Sequence, residues 1–189
     1  MSTQSPASPS SIKRSIASLG PVSQLAFVPP DFDAALQFWT QVMGAGPFFL
    51  LEHIKADETK YLGQITSVDF SAAVGYWGNM MIELIQQHDD TPSIYSAWTE
   101  QGLDGLHHVL IAVDDMQDAL KVCEQSGATV LQEALFRGGS AQVVYVDTHG
   151  GPGTMVELWK GDDAGRAFFA RVRDAARNWD GQDPIRRLG

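Results

Sequence analysis

The chain carries one pattern twice. The segment QLAFVPPDFDAAL (24–36) aligns without a gap on HVLIAVDDMQDAL (108–120), at an offset of 84 residues. An internal repeat constrains topology more than local propensity does, because each copy must build the same supersecondary unit. In both copies a short apolar strand leads to an aspartate, Asp31 or Asp115, placed to accept hydrogen bonds from the free amides of a first helical turn. The hydrophobic period then changes from strand-like to helical. Phe32, Ala35, Leu36, Trp39, Val42 and Met43 fall on one stripe, and Met116, Ala119, Leu120 and Cys123 on its counterpart. Each helix is expected to stop at a glycine, Gly44 or Gly127.

Further β-like segments follow each helix: FFLLEHI, QITSVDFSAAVGYW and NMMIELIQ in the first copy, ATVLQEALF, AQVVYVD and TMVELWK in the second. The last strands align again, MMIEL over TMVEL, which sets Glu83 over Glu157 at an offset of 74 residues. The expected fold class is therefore α+β, with two tandem βαβββ modules forming a curved mixed sheet around a cleft. The expected divisions are a disordered tail (1–19), a first module (20–90), a linker (91–104), a second module (105–161), and a C-terminal amphipathic helix with its tail (162–189). Ala167, Phe168, Val172, Ala175, Ala176 and Trp179 recur at helical spacing in that last segment. The helix is expected to cover the domain, with gating of a site or contact with a partner subunit as the alternative.

Four polar residues stand at matched positions of the repeat: Gln24 and His108 on the first strands, Glu83 and Glu157 on the last. A carboxylate at the centre of MMIELI or MVELW is costly to bury unless it is paired, protonated or bound to a metal. Its recurrence opposite a glutamine and a histidine points to a metal site. Strand parity separates the two adjacent histidines. His108, aligned with Gln24, faces the cleft with Leu110, whereas His107 takes the opposite face with Val109, Ile111 and Val113, as a structural residue or as a donor behind the ligand. The same parity brings Met81 and Ile85 beside Glu83, Met155 and Trp159 beside Glu157, and Phe48 and Leu50 onto the face of Glu52. Three side-chain oxygens and one imidazole suit an open-coordinated divalent ion (Zn, Co, Ni, Mn or Fe) better than a closed structural zinc.

Composition narrows the partners. A formal charge of −10 and a pI near 4.7 disfavour nucleic acid and anionic membranes, which are held by clustered Lys and Arg. No apolar run approaches the ~20 residues that span a bilayer. Cys123 stands alone, so no internal disulfide is possible and a cytoplasmic location is expected. A transit peptide is the alternative for a leading segment with no acidic residue before Asp31. HGGPGTMVEL leads into a strand rather than opening a helix and reads as a turn, not an anion cradle.

With its paired modules, and with GLHHVLIAVDD and GTMVELWK in particular, the chain resembles the vicinal oxygen chelate superfamily over roughly residues 20–160. This superfamily includes glyoxalase I, methylmalonyl-CoA epimerase, bleomycin-resistance proteins and extradiol dioxygenases. The double histidine before the AVDD turn is most similar to the epimerase branch. Gln24 with Glu83, His108 and Glu157 is the Gln/Glu/His/Glu set of glyoxalase I, where the epimerases carry His at the first position. The resemblance implies these four as metal ligands, with Glu157 as ligand and base in one, and it implies a homodimer. It also suggests Glu52 as a second acid–base residue, the alternative being a solvent-facing strand position.

The implied activity is that of a metal-dependent epimerase, isomerase or glyoxalase-like lyase acting on a small carbonyl substrate. It removes a proton α to the carbonyl and forms a metal-stabilised enolate. A pocket of Phe48, Leu50, Met81, Ile85, Leu110, Met155 and Trp159 favours a fairly apolar acyl or ketone substrate. Cations for coenzyme A phosphates are few: Lys55, Lys60, Arg137 or the arginines of the terminal helix. The alternatives are a metal-free, ligand-sequestering protein of the bleomycin-resistance type and an Fe(II) extradiol dioxygenase. The dioxygenase is disfavoured because Gln24 stands where its first histidine is needed, and His53, His88 and His149 lie outside the matched positions.

Overall fold

The computed structural model describes residues 14–187. Each repeat builds its strand and helix as the pattern predicts. Strand β1 (Val22–Phe27) leads to helix α1 (Phe32–Gln37), whose first turn is capped by Asp31 accepting from the Ala34 amide at 2.9 Å. In the second copy, Asp115 caps the later helix Met116–Gln125 through the Asp118 amide at 3.0 Å. The first helix departs from its stripe at its end. A π-turn over Phe38–Val42 adds a residue to the helical period, so Val42, expected on the apolar face, is 72 % exposed.

Strands β2 (Phe48–Ile54), β3 (Glu58–Tyr61), β4 (Gln64–Thr66), β5 (Phe70–Trp77) and β6 (Met80–Gln87) complete the first module. Helix α2 (Ile94–Glu100) follows inside the segment expected to be a linker. The second module comprises β7 (Leu106–Ala112), the capped helix α3 (Met116–Gln125), β8 (Thr129–Phe136), β9 (Ala141–Asp147) and β10 (Met155–Lys160). Helix α4 (Asp163–Ala176) and a short strand β11 (Ile185–Arg187) close the chain. The first thirteen residues of the expected disordered tail lie outside the described residues. Residues 16–19 of that tail form a 3-10 turn whose Ile16 and Leu19 pack on the second module's core.

All eleven strands form one curved, open sheet in the order β11-β2-β5-β6-β1-β7-β10-β9-β8-β3-β4. The first and last strands of each module run parallel, β1 with β6 and β7 with β10, and the modules join where β1 meets β7 antiparallel. The repeat is legible in the register. Gln24 pairs with Met81, two residues before Glu83, and His108 pairs with Met155, two residues before Glu157. The segment expected to be one long strand over 64–77 is divided. Its first part, β4, turns back on β3, and that hairpin is added to the edge of β8 in the other module.

Helices α1 and α3 bury the outer face of the sheet. Phe32 and Leu36 pack on Phe48, Leu50, Ile82 and Leu84, while Met116, Ala119 and Cys123 pack on Ile111, Val144, Val146 and Leu158. Helices α2 and α4 lie on the inner face, one at each end of the cup. Tyr95 and Trp98 of α2 cover Ala26, Ile85 and Tyr145. Val172 of α4, with no exposed surface, covers Phe49, Val74 and Met81.

Gly75 on β5 permits this close packing. A Cβ there would meet the Phe48 ring at 2.9–3.0 Å, and Phe48 is wholly buried. Gly75→Ala is expected to lower unfolding stability by about 1–3 kcal/mol by overpacking. The check is a urea titration, in which the midpoint should fall with the slope unchanged.

Candidate metal centre

The four central strands of the sheet, β6, β1, β7 and β10, each contribute one of the matched polar residues: Glu83, Gln24, His108 and Glu157. All four come from one chain. His108 Nε2 lies 2.9 Å from a Glu157 oxygen and 3.7 Å from Glu83, and the ligand atoms of these three residues lie within 4.8 Å of one another. Gln24 is 1 % exposed and donates its amide nitrogen to Glu83 at 2.5 Å. Its amide nitrogen, not its oxygen, therefore faces the carboxylate, an orientation that the amide can reverse by flipping. The donor set fits a divalent ion: three side chains already converge through oxygen or nitrogen, and the amide oxygen of Gln24 is within a flip of joining them.

The histidines depart from simple alternation. On β7, His108 pairs with Ala26 and Leu106 with Phe27, so His107 is an extra residue opposite the β1 ladder. This bulge turns His107 away from α3, where parity placed it, and toward α2 on the inner side. Its ring packs edge-on against Trp98, with centroids 4.9 Å apart. The two Nδ1 atoms of the histidine pair lie 2.8 Å apart, and His107 Nε2 lies 3.3 Å from the carbonyl of Ile94.

These contacts assign the tautomers. A carbonyl only accepts, so His107 carries its hydrogen on Nε2 and accepts at Nδ1 from the Nδ1–H of His108. Nε2 of His108 is left as the atom that faces the carboxylates. His107, expected as a structural residue or alternatively as a donor behind the ligand, therefore stands behind His108 as an acceptor.

Electrostatics follow from burial and from the two carboxylates. Burial, and then the neighbouring His108, push the pKa of His107 down to about 3, and it stays neutral. Burial also opposes charge on His108, but the hydrogen bonds and charges of Glu157 and Glu83 outweigh it and raise its pKa to about 9. Burial lifts the Glu157 carboxyl above the ordinary glutamate range, only partly offset by its bond to His108. Two phenols complete the wall, Tyr145 and Tyr95, joined hydroxyl to hydroxyl at 3.1 Å. Burial holds both well above the usual phenol range, so they remain protonated donors.

The cavity beside this cluster is about 190 Å³ and includes Leu110 and Trp159 among its lining. The other five residues expected in the pocket lie elsewhere. Phe48 and Leu50 face outward onto α1, because Phe49 and Leu51 hold the inner positions of β2. Met81 lies under α4, Ile85 lies under α2, and Met155 packs at the α2 end and lines a separate cavity with Trp98 and His107. Parity along β6 and β10 is correct; the two inner helices cover the neighbours of the glutamates.

Glu52 does not reach the cavity. A register irregularity follows Leu51, His53 has a positive φ of 51°, and the Glu52 carboxylate is exposed and paired with Arg187. Sequence reasoning did not pick out Tyr95, Tyr145, or Phe168 and Phe169 as lining residues. The alignment of Tyr145 with Glu157 across β9 and β10 was available only once strand order was known.

The titration of His108 gives a prediction for protein stripped of divalent ions by a chelator. Its folded pKa of about 9 lies above the unfolded value near 6.5, so its contribution is full below pH 6.5 and is lost as pH rises through 9. Glu157, with its pKa raised, adds a penalty that also grows with pH. The chelated protein should lose on the order of a few kcal/mol between pH 6.5 and 9.5. Thermal melts should show that fall in wild type, with the His108 part of it absent in His108→Asn and the Glu157 part retained.

A family model described as the Glyoxalase/Bleomycin resistance protein/Dioxygenase superfamily matches residues 23–145, a stretch that includes Gln24, Glu83 and His108. Glu157 lies beyond it. Among curated proteins, none matches the chain. A hypothetical protein of Bacillus halodurans C-125 is 16 % identical with a TM-score of 0.52, the alignment covering 76 % of this chain and 95 % of that one. A methylmalonyl-CoA epimerase from Mycobacterium tuberculosis is 16 % identical with a TM-score of 0.50, covering 77 % and 91 %. At such identity the likeness is one of fold. The family match takes in well over half of the residues, and the chain belongs to the Glyoxalase/Bleomycin resistance protein/Dioxygenase superfamily.

Proposed function

We propose that the protein is a metal-dependent epimerase or isomerase, or a lyase of related mechanism, that moves a proton at a carbon α to a carbonyl. The observation that carries this reading is the buried cluster of Glu83, His108 and Glu157 with Gln24 beside it, opening onto an apolar cavity. Gln24, Glu83, His108 and Glu157 would hold one divalent ion. When bound, that ion supplies a Lewis acid for the substrate's carbonyl oxygen.

The chain's own groups supply the rest. Glu157, which lines the cavity beside His108, takes the α-proton as general base. Return of the proton to the same face of the enolate restores the substrate, delivery of a solvent proton to the opposite face gives epimerisation, and delivery to a neighbouring atom gives isomerisation. The Tyr145 hydroxyl, kept protonated and lining the same cavity, is a donor for negative charge that develops on the substrate. Leu110, Val143 and Trp159 exclude water and keep these interactions strong.

One observation favours a second reading, a metal-free protein that sequesters an apolar ligand. A protonated His108 already pairs with Glu157 and approaches Glu83, so the buried carboxylate has a counter-ion without a metal.

Metal analysis separates the two readings. The first expects one divalent ion bound per chain, lost on His108→Ala. His107→Phe should retain the ion with affinity lower by roughly 10–100-fold, since it removes the acceptor that holds the His108 ring. For the reaction, Glu157→Gln should slow exchange of substrate α-hydrogen with solvent deuterium by about 100-fold or more. Turnover that consumes oxygen, or exchange in the variant as fast as in wild type, would overturn the role given to Glu157.

A further inference from the structure

The C-terminal helix makes the substrate compartment. Met81, two residues before Glu83 on the same face of β6, would lie open to the cup in a bare pair of modules; here it is 2 % exposed beneath Val172 of α4. Phe49 and Val74 of the neighbouring strands are covered by the same helix. Helix α4 thus fills the first module's half of the inner face up to the edge of the candidate metal centre. Phe169 then crosses to the second module, where its ring lies 4.8 Å from Trp159, and Phe168 packs edge-on against Phe49 at 6.4 Å. The remaining space, about 190 Å³, is smaller than the roughly 300–1,000 Å³ of clefts that take drug-sized ligands.

The helix is anchored at both ends. Asp162 caps it through the Gly165 amide at 2.9 Å and accepts both Arg137 nitrogens, at 2.6 and 2.8 Å, and the Ser140 hydroxyl. Past its C-terminus the chain returns to the sheet: Phe48 donates its amide to the Pro184 carbonyl at 2.8 Å, and β11 pairs with β2. The same anchoring fixes the charge of the mouth. Among the described residues, Arg137 is the only Lys or Arg that lines the cavity, and its guanidinium is committed to Asp162. The other charged lining residues are Glu83 and Glu157.

We infer that α4, through Phe168 and Phe169, sets the substrate class of this site as an uncharged ketone or ester with a compact one- or two-ring body, and excludes carriers bearing phosphates. This rests on the proposal that the cavity is the carbonyl site. A carrier's phosphates lie at the far end of a long arm and would reach the mouth, where Arg137 is already paired with Asp162. A larger ring system would overlap the Phe168 and Phe169 rings.

The test is calorimetric binding to the full-length, metal-loaded protein, with 2-tetralone, 2-acetylphenanthrene and propionyl-CoA as probes. Wild type should bind 2-tetralone at least about tenfold more tightly than either of the others. Phe168→Ala and Phe169→Ala should each bring 2-acetylphenanthrene to within a few-fold of 2-tetralone and leave propionyl-CoA weak. Phe169→Leu, a milder change, should shift the ratio in the same direction and guards against misfolding of the alanine forms. Propionyl-CoA bound as tightly as 2-tetralone, or size selection unchanged in all three variants, overturns the inference. Deuterium exchange, measured separately, keeps the two claims distinct. Binding selectivity without exchange leaves the compartment standing and sinks the reaction, whereas exchange on propionyl-CoA does the reverse.

Discussion

Glu157 is buried to 5 % exposure, with Leu110 and Tyr145 as its partners on the flanking strands, and an isolated carboxylate there would cost several kcal/mol. The surrounding structure offsets that cost. His108, itself without exposed surface, lies 2.9 Å away, and Glu83 and Gln24 complete a polar group on neighbouring strands. The parallel pairing of first and last strands in each module makes this possible, because it sets a residue at the middle of one strand beside a residue at the middle of the other. Joining the two modules through β1 and β7 then brings both pairs together at the centre of the sheet.

Around that group the inner face is closed by elements from outside the repeat. Helix α2 comes from the connection between modules and brings Tyr95 and Trp98 over one end. Helix α4 follows the second module and brings Val172, Phe168 and Phe169 over the other. Between them the matched residues keep a small opening. The four central strands of the cup are thus related by the repeat, whereas the helices that cover it are not.

The bulge at His107 gives the centre its second layer. Had β7 alternated regularly, His107 would lie under α3 and His108 would have a different partner at Nδ1. The extra residue turns both imidazoles to one side and links them to the Ile94 carbonyl of α2. The connection between modules thereby orients a candidate ligand on the central sheet, in the manner that outer hydrogen bonds orient metal-bound histidines.

The repeat alone determined the module topology, the capped helices at Asp31 and Asp115, and the meeting of Gln24, Glu83, His108 and Glu157, because matched positions in two copies of one unit must occupy equivalent places. Hydrophobic periodicity likewise announced α4, though not its place inside the cup. The face taken by His107, the exposure of Glu52, and the inward turn of Leu51 rather than Leu50 were decided only by tertiary structure. Parity says which residues share a face but not which face is inner, as at Leu50 and Leu51, and it fails where the ladder is irregular, as at the bulge on β7 and after Leu51 on β2. Which apolar neighbours of the glutamates remain open was decided by long-range packing. Met81 and Ile85 share a face with Glu83, but α4 covers the first and α2 the second, both from outside the strand, and no pattern within MMIELI records that.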